Sequence, residues 1–155
     1  MSHECEIREQ LPQPALAIRT RTPVQNLSQV IDDAYRTITQ YLEQAGEQPA
    51  GPMFVGYYNR DMNDLDVEVG FPVSPGLEGN DRIHPTEIPG GKVGICLHTG
   101  PYHEAGPAYE DLTKMVKNQG FETTGVAYES YLNNPMDTTP EKLQTQILFP
   151  LKAPK

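Results

Sequence analysis

Val126-Ala127-Tyr128-Glu129-Ser130-Tyr131-Leu132-Asn133 is the stretch on which the reading of the fold turns. It is rich in aromatic and β-branched residues and is bounded by Gly125 and Asn134-Pro135, so it reads as a strand. Strand side chains alternate between faces. Ala127, Glu129 and Tyr131 therefore share one face, and Val126, Tyr128, Ser130 and Leu132 the other. Glu129 is the odd member. On a solvated face it is an ordinary surface residue; in a cleft it is a costly charge that needs a partner.

Working outward, the strand is preceded by a helix whose stripe is Ala105, Ala108, Leu112, Met115, Val116 and Gln119, closed by Gly120. Pro107 has to fall in its first turn or mark a kink. Lys92 to His98 reads as a strand before this helix, and Gln144 to Phe149 as a last strand after a loop from Asn134 to Glu141. The same order occurs earlier. Pro14 to Thr22 alternates as a strand. Asn26, as N-cap with Gln29 in the capping-box place, opens a helix. Leu27, Val30, Ile31, Ala34, Ile38, Tyr41 and Leu42 share one face of it, and Gly46 ends it. Pro52 to Asn59 and Asp66 to Val73 are strands around a turn at 60–64, and residues 4–10 read as a short edge strand.

The two runs are copies. Ala34-Tyr35 stands as far before Gly46 as Ala108-Tyr109 stands before Gly120. The same shift sets Phe54 on Tyr128, Tyr57 on Tyr131 and Asn59 on Asn133. After a slightly longer loop, Val69-Gly70-Phe71-Pro72-Val73 falls on Ile147-Leu148-Phe149-Pro150-Leu151. We read a duplicated strand-helix-strand-strand module. It predicts an α+β fold, an antiparallel sheet with two helices packed on one face and a central cleft on a pseudo-twofold axis. The chain is read as one domain, 1–155. Module one covers about 4–74, a Pro- and Gly-rich connection about 75–90, with a short strand near 82–88, and module two about 91–151. Under the shift Glu129 stands on Val55, so the copies agree on the tyrosine and differ at the acid.

Composition bounds the function. The 155 residues suffice for one sizeable core. Twelve basic against 21 acidic residues give a net charge of −9, which argues against direct nucleic-acid binding and permits cationic partners. No apolar run approaches the roughly 20 residues of a membrane span, and the start is polar and acidic, so the expectation is a cytoplasmic protein with no membrane association. Cys5 and Cys96 lack CxxC spacing and a histidine cluster; they are read as two reduced thiols, with no metal and no cofactor. Asp61, Asp64, Asp66 and Glu68 read as a solvated acidic run, and His98 and His103 as residues flanking the Gly-Pro-Tyr turn at a strand end. No nucleophile–histidine arrangement emerges from spacing.

Several motifs together resemble the GyrI-like small-molecule-binding domain, the effector-binding domain of AraC-type and MerR-type multidrug regulators. They are His98-Thr99-Gly100-Pro101-Tyr102, Ala108-Tyr109 with Leu112, Tyr128 through Pro135, Gly56-Tyr57-Tyr58-Asn59, and Glu141-Lys142-Leu143 through Pro150. The likeness covers roughly residues 4–151, with only a few residues before the first strand, which implies the stand-alone form without a DNA-binding domain. It implies a central aromatic pocket with one buried glutamate for lipophilic organic cations. Glu129 matches that glutamate by motif, and Tyr131 lies in the same motif; Tyr58, Tyr102, Tyr109 and Tyr35 are placed near the cleft by position. Met115 stands near the place of the family's usual tryptophan, and Pro107 lies inside the motif helix. The function implied is binding of amphipathic, cationic small molecules for sensing or sequestration. Two alternatives are carried. One is a hydrolase of strained electrophilic rings, with Glu129 and Tyr131 as catalytic groups. The other is a gyrase-inhibitor-like module that docks gyrase or a regulator through its acidic surface.

Overall fold

The structure, a computed structural model, describes residues 4–133 and 138–152, the side chain of His103 excepted. Asn134 and Pro135, named above as a strand boundary, lie outside the described residues. The elements in chain order are β1 (Glu4–Gln10), β2 (Gln13–Thr22), α1 (Leu27–Gln44), β3 (Phe54–Tyr57), β4 (Leu65–Pro72), β5 (His84–Ile88), β6 (Gly91–Thr99), α2 (Gly106–Asn118), β7 (Ala127–Tyr131) and β8 (Gln144–Pro150). The fold is α+β, with antiparallel strands, and the described residues form two compact units. One is Pro12–Pro89; the other joins residues up to Leu11 to those from Gly90 onward.

In the Pro12–Pro89 unit the strand order is β3-β4-β2-β5. The alternation of Val67, Val69 and Phe71 sets one face of β4 under α1, where Phe71 meets the Tyr35 ring at 5.6 Å. Ala34, Ile38 and Leu42 are the buried stripe of α1. Fully burying Ile38 and Leu42 contributes about 1.5–3 kcal/mol each. Asn26 occupies the N-cap position of α1, yet its side chain makes no cap hydrogen bond. A 3-10 turn over Val24–Asn26 precedes the helix, and the Asn26 amide donates to Pro23 O at 3.0 Å. The expected capping box is therefore replaced by a backbone turn.

In the second unit the order is β1-β6-β8-β7. Ala108, Leu112 and Val116 of α2 cover a core of Cys96, Ala127, Ile147 and Phe149. Gly94 allows the close approach, since a Cβ there would lie 2.9 Å from Val116 Cγ2. Pro107 sits in the first turn of α2, where its missing N–H costs nothing. The cysteines are not two reduced thiols. The β1–β6 register sets Cys5 opposite Cys96, with Cα atoms 4.1 Å apart, and they form a disulfide. A sequence separation of 91 hides such a pair from spacing arguments, because only the register brings it together.

The duplication extends to individual hydrogen bonds. Asn59 receives the Asp66 amide and donates to Asp64 O; Asn133 receives the Gln144 amide and donates to Lys142 O. Gly46 N donates to Glu43 O and Glu47 N to Leu42 O, while Gly120 N donates to Lys117 O and Phe121 N to Val116 O. Both helices thus end in the same Schellman turn.

Candidate functional site

Glu129 sits in the middle of β7, paired with fully buried Ile147, on the face that α2 covers. β-alternation puts Tyr131 on the same face, and its hydroxyl donates to Glu129 Oε1 at 3.0 Å. Tyr109, from the first half of α2, donates its hydroxyl to Glu129 Oε2. The Tyr109 ring packs on Phe149 with centroids 5.8 Å apart, which fixes its approach. Tyr102 lies in the 3-10 turn Tyr102–Glu104 that joins β6 to α2, and its ring meets Tyr131 edge-on at 5.2 Å. Burial, and then the charge of Glu129, push the Tyr102 hydroxyl above its ordinary pKa, so it stays protonated at neutral pH.

Glu129 is half-buried, and among the described residues it forms no ion pair. Two phenol hydroxyls offset part of its desolvation, as charge-assisted hydrogen bonds do. The result is one negative charge with three phenol rings close by. Such a set attracts an organic cation through the charge and through the ring quadrupoles, with few directional demands.

Of the six site residues expected from sequence, Glu129, Tyr131, Tyr102 and Tyr109 are brought together. Tyr35 and Tyr58 belong to the Pro12–Pro89 unit and have partners within it. Tyr35 is 48% exposed and stacks on Phe71 as Tyr109 does on Phe149. The Tyr58 hydroxyl donates to Glu68 Oε1 at 2.9 Å, while the Arg19 guanidinium lies 3.8 Å from the centroid of its ring. Arg19 donates two hydrogen bonds to Asp66, at 3.0 and 2.8 Å. The acidic run is therefore not simply solvated. Glu68 is buried, Asp66 pairs with Arg19, and Asp64 pairs with Arg21. The alternation of β2 puts Arg19 and Arg21 on one face, but only the register with β4 sets them opposite Glu68 and Asp66.

A cleft of roughly 340 Å³ in the same unit is lined by Ile18, Val30, Ala34, Asp33, Arg82 and His84, among others. It contains none of the expected site residues, and its Arg82 is paired with Asp33 at 3.4 Å. No group of three or more His, Cys, Asp or Glu fit for a metal occurs among the described residues, and no helix there is long and apolar enough to cross a membrane.

Residues 3–152 match the family model of the GyrI-like small molecule binding domain. The chain belongs to this family. Among solved structures the GyrI-like fold is shared with the C-terminal domain of EcmrR, at TM-score 0.82 and 22% identity over 98% of this chain and 99% of that one. In the structure of EcmrR with DNA, the GyrI-like chain described here spans 57% of the EcmrR chain and 97% of itself is covered, at 21% identity and TM-score 0.82. A protein from Listeria innocua described as a hydrolase is similar at TM-score 0.73 and 13% identity, over 96% of this chain and 92% of that one. SAV2435, solved bound to tetraphenylphosphonium, is similar at TM-score 0.60 and 13% identity, over 98% and 94%. At such identities the likeness shows the fold. No curated protein sequence matches the chain.

Proposed function

We propose that the Glu129 site binds amphipathic, cationic small molecules, for ligand sensing or sequestration. The observation that carries this reading is the partly buried carboxylate of Glu129, held by the hydroxyls of Tyr109 and Tyr131 and forming no ion pair among the described residues. A ligand cation supplies the missing charge, and the rings of Tyr102, Tyr109 and Tyr131 add cation–π attraction of about 0.5–2 kcal/mol each. Membership of a small-molecule-binding family and the tetraphenylphosphonium complex of SAV2435 support the class of ligand. The structure of EcmrR with DNA supports sensing coupled to a DNA-bound protein as the setting.

Binding of tetraphenylphosphonium and a panel of cationic dyes, measured by titration calorimetry or fluorescence, tests the reading. Glu129→Gln keeps the shape and removes the charge. It is expected to weaken cation binding at least thirtyfold, the equivalent of about 2 kcal/mol. Equal affinity in both proteins would sink the reading.

A second reading is favoured by the convergence of two hydroxyls on one carboxylate: hydrolysis of a strained electrophilic ring, with Glu129 and Tyr131 as acid–base pair. It predicts time-dependent loss of a reactive epoxide that Glu129→Gln abolishes. Stable, reversible binding without turnover leaves the receptor as the function.

A further inference from the structure

The connection that carries Tyr102 exists in two versions in this chain. In the Pro12–Pro89 unit β2 runs through Thr22 and Pro23 into the 3-10 turn Val24–Asn26; in the second unit β6 runs through Gly100 and Pro101 into Tyr102–Glu104. The strand registers align them. Thr20 pairs with Val67 and His98 with Thr145, and Val67 and Thr145 are equivalent positions of the repeat. Counting on from there sets Thr22 on Gly100, Pro23 on Pro101 and Val24 on Tyr102. Both proline carbonyls accept the amide that closes the turn, from Asn26 and from Glu104, each at 3.0 Å.

Each proline carbonyl also accepts a second bond, and here the copies differ. Thr22 Oγ1 donates to Pro23 O at 3.0 Å. In the second unit that hydroxyl is gone, because position 100 is a glycine with φ of +133°, a conformation side chains rarely adopt. His98 takes over. Its imidazole is 4% exposed, on the face that α2 covers, and Nε2 lies 2.8 Å from Pro101 O. A carbonyl only accepts, so Nε2 carries the proton.

We propose that His98 is a positioning residue for the ligand site. Through the Pro101 carbonyl it holds the turn that seats Tyr102 edge-on against Tyr131, beside Glu129. This inference rests on the reading of Glu129 as a cation site. It adds that the Tyr102 wall is set by a buried side chain that itself touches no ligand.

A thermodynamic cycle tests it, with tetraphenylphosphonium as probe and wild type, His98→Leu, Tyr102→Ala and the double variant as proteins. Loss of one hydrogen bond to a buried group predicts about tenfold weaker binding for His98→Leu. In the double variant the His98 change adds nothing, since the residue it positions is gone. His98→Gln, which retains an N–H donor, restores most of the affinity and guards against a folding artefact. The chain has no tryptophan, so Tyr102→Trp emission reports on this position alone. It shifts to longer wavelength when combined with His98→Leu. An undiminished His98 effect in the Tyr102→Ala background, or an unchanged emission, overturns the positioning role. A shifted emission in a protein that binds no cation overturns the cation reading and leaves the positioning of Tyr102 standing.

Discussion

Glu68 and Glu129 are both bonded by tyrosine hydroxyls, and they differ in what surrounds them. Glu68 receives Tyr58, and the protein's own Arg19 lies over the Tyr58 ring. Glu129 receives Tyr109 and Tyr131, and no basic side chain among the described residues joins it in an ion pair. The first cluster carries a cation of the chain's own, since Arg19, bonded to Asp66, covers the Tyr58 ring; the second is a carboxylate held by two hydroxyls. The repeat gives this contrast an internal reference. The position equivalent to Glu129 is Val55, which is fully buried and faces Val69 where Glu129 faces Ile147. Around it Thr145 stands for Val67, His98 for Thr20 and Cys96 for Ile18, while Tyr35 and Tyr109 keep the same stacking on Phe71 and Phe149. The shared residues hold the module together, and polar divergence is gathered around one glutamate.

Exchanging the divergent residues gives the largest expected effect. Val55→Glu places a carboxylate at a fully buried site built for a valine, and the cost in urea denaturation is expected to be about 3–5 kcal/mol. The reverse change, Glu129→Val, is expected to stay within about 1 kcal/mol, since the two hydroxyls it leaves belong to partly exposed tyrosines that water can reach. Cation binding is lost in Glu129→Val all the same. Similar stability costs for both changes would erase the distinction between a packing position and a binding position.

Much of this was legible before any coordinates. Glu129 and Tyr131 share a face because strand alternation requires it, and the offset of Val55 against Glu129 survives as equivalent cross-strand positions. Tyr109 was expected near the cleft only by its position in the family resemblance, and the shared Ala-Tyr pair aligned it with Tyr35. What sequence could not supply is register between distant strands. Cys5 meets Cys96 only because β1 pairs with β6, and Arg19 reaches Tyr58 only because β3, β4 and β2 lie side by side. β4 shows the same limit. Glu68, Gly70 and Pro72 are buried on one face and Val67, Val69 and Phe71 on the other. Burial of a strand's second face depends on what covers it, and periodicity says nothing about that.

The cluster around Arg19 has a pH signature. The Arg19 hydrogen bonds, partly opposed by burial, hold the Asp66 carboxyl below its ordinary value of 3.8. A lowered folded-state pKa means a contribution present above the unfolded value and lost as pH falls through the folded one. Asp66→Asn is therefore expected to be less stable than wild type by about 1 kcal/mol at pH 6, with the gap closing below about pH 4. Denaturation curves at pH 6 and pH 3 read the difference, and a gap that persists unchanged at pH 3 would assign it to shape and not to charge.

The smallest expected difference, between two glycine substitutions, checks the symmetry against which the sites are compared. Gly46 and Gly120 close the two helices at φ of +71° and +84°, and a Cβ at either would meet nothing within 4 Å. With space excluded as a cause, each Gly→Ala change should cost only the left-handed conformation, about 1–2 kcal/mol. The two costs should agree within about 0.5 kcal/mol. The flanking residues do differ, since Phe121 packs on the core containing Val116 while Glu47 follows Gly46 at the other helix end. That contact lies outside the glycine and is present in both wild type and variant, so it cancels in each difference. Unequal costs in thermal unfolding would mean that the helix ends have diverged as well, and the contrast between Val55 and Glu129 would then lose its fixed frame.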